Sequence, residues 1–211
     1  LTVLAILRNI AFEPKDEYHL WQLMVQGDKA ALAELMELYM DALYNYGIRF
    51  SKDEALVEDC IQNLFIGIWQ RRDLLSRPSN IKSYLFSSLR RMIFRDVQRL
   101  KKAPVISLTK DEAFGFDLEF SIEHVLIEQE ETRIMAGKIN DLITALPKRQ
   151  KEIIYLKFFE NLSREEIADI MQISPQGVSN LLQKALKNMR STEGIIAMTI
   201  LLLIYLSLTQ A

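Results

Sequence analysis

Cysteine is almost missing from this chain: Cys60 is the only one in 211 residues. No internal disulfide framework can form, which fits a reducing compartment. Histidine is nearly as scarce, and His19 and His124 lie far apart. One thiol and two distant imidazoles exclude a Cys/His zinc site within the chain, and no metal is expected. Seven glycines and five prolines are too few for a collagen-like or loop-rich chain. The glycines are scattered singly, with no G-x-G, GKS or GKT. That leaves no glycine-rich cradle for a phosphate, and no cofactor is expected. Charge of one sign is lacking too. Lys plus Arg is 26, Asp plus Glu is 28, and the net is −2. Spread evenly, that sum argues against a uniformly polybasic protein.

The charge is not spread evenly. Residues 1–70 carry 5 basic and 11 acidic groups, net −6. Residues 71–102 carry 10 basic and 2 acidic groups, net +8. Residues 103–143 return to −6, residues 144–193 carry +2, and residues 194–211 carry no charge. A +8 block over 32 residues can contact a polyanion. It can equally be a solvated basic helix face.

Apolar spacings of three and four dominate, so the chain reads as all-α. Leu32, Leu35, Met36, Leu38, Tyr39 and Leu43 share one broad face, followed by Tyr46 and Phe50. Ser51 and Glu54 are spaced as a capping box. The next helix carries Leu56, Cys60, Leu64 and Ile68 beside Ile61, Phe65 and Trp69, and is expected to end near Arg72. A long helix is expected from Ile81 to about Lys102, closed by Pro104. Residues 16–102 thus read as one domain of roughly four helices. Residues 103–138 have weak periodicity and an acidic excess and read as a linker. Residues 139–192 form a second, smaller helical domain.

In that second domain a short helix, Ile139–Leu146, precedes one starting at Pro147 and running to about Glu160. Asn161 and Leu162 break the pattern. Ser163 and Glu166 make a capping box for a helix with Ile167, Ala168, Ile170 and Met171 inside. Gln172 and Ile173 turn the chain. Ser174 as cap and Pro175 as first residue then open a last helix to about Arg190. Val178, Leu181, Leu182, Ala185 and Met189 should face inward. Helix, short turn and capped helix together are a helix-turn-helix signature, although any two-helix hairpin can look alike. The last helix should present Gln176, Ser179, Asn180, Gln183 and Lys187 outward, side chains that reach base edges and phosphates. Lys148, Arg149, Lys151, Lys184 and Arg190 could hold the DNA backbone.

Three segments carry a resemblance: VEDCIQNLFIGIW at 57–69, SYLFSSLRRMIFRDVQRLKK at 83–102, and LPKRQKEIIYLKFFENLSREEIADIMQISPQGVSNLLQKALKNMR at 146–190. In this order, over about residues 16–192, they resemble the extracytoplasmic-function (ECF) group of sigma-70-type bacterial RNA polymerase sigma factors. The Asp59, Gln62, Phe65, Trp69 spacing carries the match in the first domain. Leu146-Pro147, Leu162-Ser163, Glu166-Ile167-Ala168, Ile173-Ser174 and Val178 carry it in the second.

The resemblance implies sigma region 2 in the first domain, binding the polymerase clamp and melting the −10 promoter element. It implies region 4 in the second, binding the −35 element. Asp59, Gln62, Asn63 and Phe65 are then expected to contact core RNA polymerase, with Trp69 in the core. Arg90, Arg91, Arg95, Arg99, Lys101 and Lys102 would neutralise phosphates of promoter DNA. Tyr84 or Phe86 could stack on an unpaired base, at least one of the two being core. Ser79 and Asn80 fall in the loop that accepts a flipped −10 base. Gln176, Ser179, Asn180, Gln183, Lys184 and Lys187 are the −35 candidates. The acidic linker would thread the channel that later holds RNA, mimicking a polyanion; an ordinary acidic tether is the other reading. An anti-sigma factor is an expected partner, the chain is not expected to be an enzyme, and the location is expected to be cytoplasmic. Arg91 stands where many relatives have Asn. Gly177, Val178, Ser179 and Asn180 stand where many have Thr-Val-Lys-Ser, so the −35 contacts cannot be copied by identity.

Residues 194–211 lie outside that pattern. Ile195–Leu208 is nearly all apolar, and 18 helical residues would span about 27 Å, just short of a hydrocarbon core. A membrane contact, a helix docked on the protein itself and a partner-binding segment all fit, with docking favoured over insertion. The N-terminal LTVLAILRNIAF lacks a basic n-region and an A-x-A site, so no signal peptide is expected. A stand-alone helix-turn-helix regulator and a membrane-linked interaction protein remain as other functional classes.

Overall fold

The computed structural model of the chain describes residues 14–100, 115–118 and 140–189. The described residues are helical with turns and short loops, and no strand occurs among them. The chain divides into two compact units, with the boundary between Leu108 and Thr109.

In the first unit α1 (Pro14–Val25) ends where Gly27 takes a φ of +95°, a backbone conformation glycine adopts without steric cost. The Gly27 N–H donates to the Met24 carbonyl and the Asp28 N–H to the Leu23 carbonyl, a Schellman closure. Asp28 then caps α2 (Lys29–Gly47), its carboxylate accepting from the N–H groups of Ala30 and Ala31. Leu35, Tyr39, Leu43 and Tyr46 fall on one buried face at spacings of three and four. That face makes α2 the centre of the unit, packed against α1, α3 (Glu54–Gln70) and α4 (Ile81–Leu100). Tyr46 stacks on Phe86 of α4 with centroids 4.7 Å apart.

The cap of α3 differs from the expected Ser51 and Glu54 box. Asp53 is the N-cap, its carboxylate accepting from the Leu56 N–H at 3.1 Å. Ser51 instead accepts from the Asp53 N–H and so supports the cap. A carboxylate one residue from the helix also complements its positive end, an advantage a hydroxyl two residues further out does not have. Helix α3 ends at Gln70, two residues short of expectation, and a single 3₁₀ turn (Arg72–Leu74) follows. Asn80 caps α4, its side-chain oxygen accepting from the Ser83 N–H at 2.7 Å.

In the second unit residues 140–144 are helical, and α5 (Lys148–Phe158), α6 (Arg164–Met171) and α7 (Pro175–Asn188) follow. Every residue of α5 from Gln150 to Leu156 is buried, so this helix is enclosed rather than amphipathic. The Ser163 and Glu166 box is present in both directions. Gln172 turns the chain in the left-handed region at φ 54°, and Ser174 with Pro175 opens α7.

One part of the segment read as linker belongs to this unit. Phe116 and Leu118 are buried, Phe116 lies 5.8 Å from the Tyr155 ring, and Asp117 pairs with Lys151 at 3.0 Å. A plain acidic tether across 103–138 is therefore corrected: residues 115–118 dock on α5. The rest of that segment, the N-terminal apolar run, Lys101, Lys102, Arg190 and residues 194–211 lie outside the described residues.

Candidate nucleic-acid interface

Helix α3 buries Val57, Cys60, Ile61, Leu64, Phe65 and Ile68, which leaves Asp59, Gln62 and Asn63 exposed on the opposite face. Ile66 joins them at 51 % exposure. Phe65 does not: it is 3 % exposed, because it follows Ile61 by four residues and packs inward with it. Its expected place on the polymerase-contact surface is corrected to the core. Trp69, expected in the core, is half-buried and carries the Arg72 guanidinium 4.6 Å above its ring.

The ten basic residues of the +8 block do different work. Arg71 donates to the Gly67 carbonyl and Arg72 to the Trp69 carbonyl, satisfying the open end of α3. Arg90 is 5 % exposed, so its expected phosphate contact is corrected to a place in the packed interior. The reason is angular: Arg90 follows Phe86 by four residues, onto the face of α4 that meets the other helices. Arg91, Arg95 and Arg99 recur every four residues and are all exposed, forming one cationic stripe. Arg91 is braced by the hydroxyls of Ser87 and Ser88, each 3.1 Å away. Asp96 lies 3.5 Å from Arg95 and 3.7 Å from Arg99, surface pairs worth at most about 1 kcal/mol. Such weak pairing leaves both guanidinium groups available to a polyanion.

Around the loop between α3 and α4 the expected residues split. Ser79 is exposed, while the Asn80 oxygen is used as the α4 cap. Tyr84 is half-buried and meets Trp21 edge-on at 5.6 Å. Phe86 is the aromatic that belongs to the core.

In the second unit α6, its turn and α7 form the helix-turn-helix. Gln176, Asn180, Gln183, Lys184 and Lys187 are exposed along α7, opposite the buried Val178 and Ala185. The Gln176 amide donates to the Asn180 side-chain oxygen at 3.0 Å, so the two amides are aligned together. Ser179 is half-buried and donates to the Pro175 carbonyl. Of the backbone-holding candidates, Lys148 and Lys184 are exposed. Lys151 is buried against Asp117 and is removed from that set.

Two sequence-family models match the chain in order: Sigma-70 region 2 over residues 35–103 and Sigma-70, region 4 over residues 136–189. Together they span more than half of it. The chain belongs to the sigma-70 family. The curated relatives place it in the ECF group of that family. It is 23 % identical to the ECF RNA polymerase sigma factor SigM of Bacillus subtilis over 158 residues, covering 75 % of this chain and 92 % of the relative. It is 27 % identical to the RNA polymerase sigma factor SigV of the same organism over 165 residues, covering 78 % and 92 %. The solved structure of CnrH in complex with the cytosolic domain of CnrY shares the fold, with a TM-score of 0.55, 17 % identity, and 82 % and 94 % coverage.

Against the sigma-70 regions, the α4 stripe falls in region 2 and the helix-turn-helix in region 4. Helix α1 and most of the first half of α2 precede the region 2 match. Two exposed residues carry little signal in the sequence. Ile66 is an apolar residue on an apolar helix, a setting that gives no sign of exposure. Arg77 is visible there only as one charge among ten. Among the described residues no cluster of His, Cys, Asp or Glu could hold a metal ion.

Proposed function

We propose that this sigma-70 protein is the dissociable initiation subunit of bacterial RNA polymerase, directing core enzyme to specific promoters. The observation that carries it is the joint occurrence, in order, of region 2 with an exposed Arg91, Arg95, Arg99 stripe and region 4 with an exposed amide and lysine face on α7. The first unit is assigned the −10 element, with the stripe neutralising phosphates as the strands part. The second is assigned the −35 element, read in the major groove by Gln176, Asn180 and Gln183, with Lys184 and Lys187 on the backbone and Ser179 in a supporting place. Asp59, Gln62 and Asn63, joined by Ile66, supply a polar face with one apolar anchor, suited to a helical partner on core polymerase.

This function places the chain in the cytoplasm with the polymerase, acting by binding rather than by catalysis of its own. CnrH was solved with the cytosolic domain of CnrY. An anti-sigma protein is proposed as a partner here on that analogy. Among the described residues no helix is long and apolar enough to cross a membrane. For residues 194–211 a docking role, on the chain or on a membrane-linked partner, is proposed ahead of insertion. Membrane fractionation of the full chain beside a 1–193 truncation tests this, and identical soluble behaviour of both would sink insertion.

The test of the main proposal is a pull-down of core polymerase followed by transcription in vitro on a promoter library. Binding to core together with initiation at a defined promoter set is expected. Binding to duplex DNA without any binding to core would indicate a stand-alone helix-turn-helix regulator instead.

A further inference from the structure

Three arginines flank the loop between α3 and α4, and two of them turn back on α3. Arg71 and Arg72 are hydrogen-bonded to its last carbonyls. The third, Arg77, is exposed and held from another helix. Its guanidinium carbon lies 4.2 Å from the centre of the Tyr18 ring. The same tyrosine donates its hydroxyl to the Ser79 carbonyl at 2.5 Å. One α1 residue, outside the region 2 match, thus holds both the backbone of the loop and its arginine. A guanidinium held over a ring keeps its N–H donors, which lie in its own plane, for an acceptor. Of the described acids, Glu17, next to Tyr18 in the chain, takes the Tyr39 hydroxyl, and Asp73 lies 3.8 Å from Arg72.

We propose that Arg77, positioned by Tyr18, binds a backbone phosphate of the unpaired −10 strand. The proposal rests on the sigma-factor function above. A planar fork of donors matches phosphate oxygens, and a phosphate is present whatever the sequence, whereas the exposed hydroxyls of the same loop, Ser76 and Ser79, suit a base edge. Cation–π contact fixes Arg77 before DNA arrives, so binding costs less conformational entropy.

The test uses the full chain bound to core polymerase and two single-stranded DNA probes. One is a random-sequence pool; the other is the sequence that wild-type holoenzyme selects from it. Binding is measured across a salt series. Arg77→Ala is expected to lower the slope of log affinity against log salt by about 0.7, one single-strand phosphate contact. It should weaken both probes by the same factor and leave core binding intact. Tyr18→Leu removes the ring and should lower the slope equally. Tyr18→Phe keeps the ring and should keep the slope. An unchanged slope in Arg77→Ala overturns the proposal. So does a loss confined to the selected probe, which marks a base contact, or a loss of core binding, which marks a polymerase contact. If wild-type holoenzyme selects no sequence at all, the sigma-factor function fails; if it does and Arg77→Ala matches it, only the Arg77 assignment fails.

Discussion

Gly47 is the last residue of α2, and side chains of α3 and α4 lie close against it. A Cβ there would lie 2.5 Å from Val57 Cγ1 and 3.3 Å from Ile93 Cδ1. Two effects oppose each other on Gly47→Ala. Helix propensity favours alanine by about 1 kcal/mol, while overpacking a tight helix contact costs about 1–3 kcal/mol. Val57 is β-branched and fully buried, so it cannot swing aside, and the packing cost should win. A lower denaturant midpoint at unchanged slope is expected; a more stable variant would mean the contact relaxes freely. Cys60 belongs to the same interior. Burial, and then the nearby Asp96 carboxylate, push its thiol up to about 12. The protonated thiol is thus favoured in the folded state. Its contribution to stability is complete below the unfolded thiol value and is lost as pH climbs from about 9 towards 12. The thiol should therefore resist alkylation in the native protein at mildly alkaline pH and react only after unfolding. Rapid native labelling at pH 8 would contradict this placement of Cys60.

Among the elements, those set by short-range chemistry were legible in the sequence. The Ser163 and Glu166 box, the Ser174 cap and the Gln172 turn are decided within four residues, and all three stand where the sequence puts them. Choices decided by distant partners were not legible. Helix α3 is apolar over a wide arc, and only the positions of α2 and α4 determine that Phe65 goes in and Trp69 stays half out. Charge counting could not tell Arg90 from Arg91, which differ by about 100° of helix rotation. Residues 115–118 escaped because two apolar residues in alternation are too short a pattern to register against an acidic background. Their docking on α5 can be measured. Phe116→Ala should destabilise the second unit by about 3–5 kcal/mol, the usual cost of emptying a buried aromatic site. Asp117→Ala strands Lys151 without its carboxylate and should cost about 1–3 kcal/mol. Hydrogen exchange at the α5 amides of the full chain reports both. Unaltered protection would show that this segment is not part of the unit's core.

For the whole molecule, the net charge of −2 is a cancellation between a +8 block and the acidic blocks on either side of it. A chain so balanced gains little from long-range attraction to free duplex DNA, so promoter contact should depend on core polymerase delivering each unit to the element proposed for it. Core binding and promoter opening should then be separable by charge reversal. The Arg91, Arg95, Arg99 stripe lies on α4, and Asp59 lies on the exposed face of α3. Arg91→Glu with Arg95→Glu should leave core binding intact and reduce open-complex formation about a hundredfold or more, since each charge-assisted hydrogen bond removed costs about 1.5–3 kcal/mol. Asp59→Lys should do the reverse: weak capture of core, with normal opening once enough protein is supplied to saturate it. Permanganate reactivity of unpaired thymines reads opening, and co-purification reads core binding. If the double arginine variant failed to bind core as well, the stripe would be a polymerase surface, and the assignment of the +8 block to DNA would be wrong.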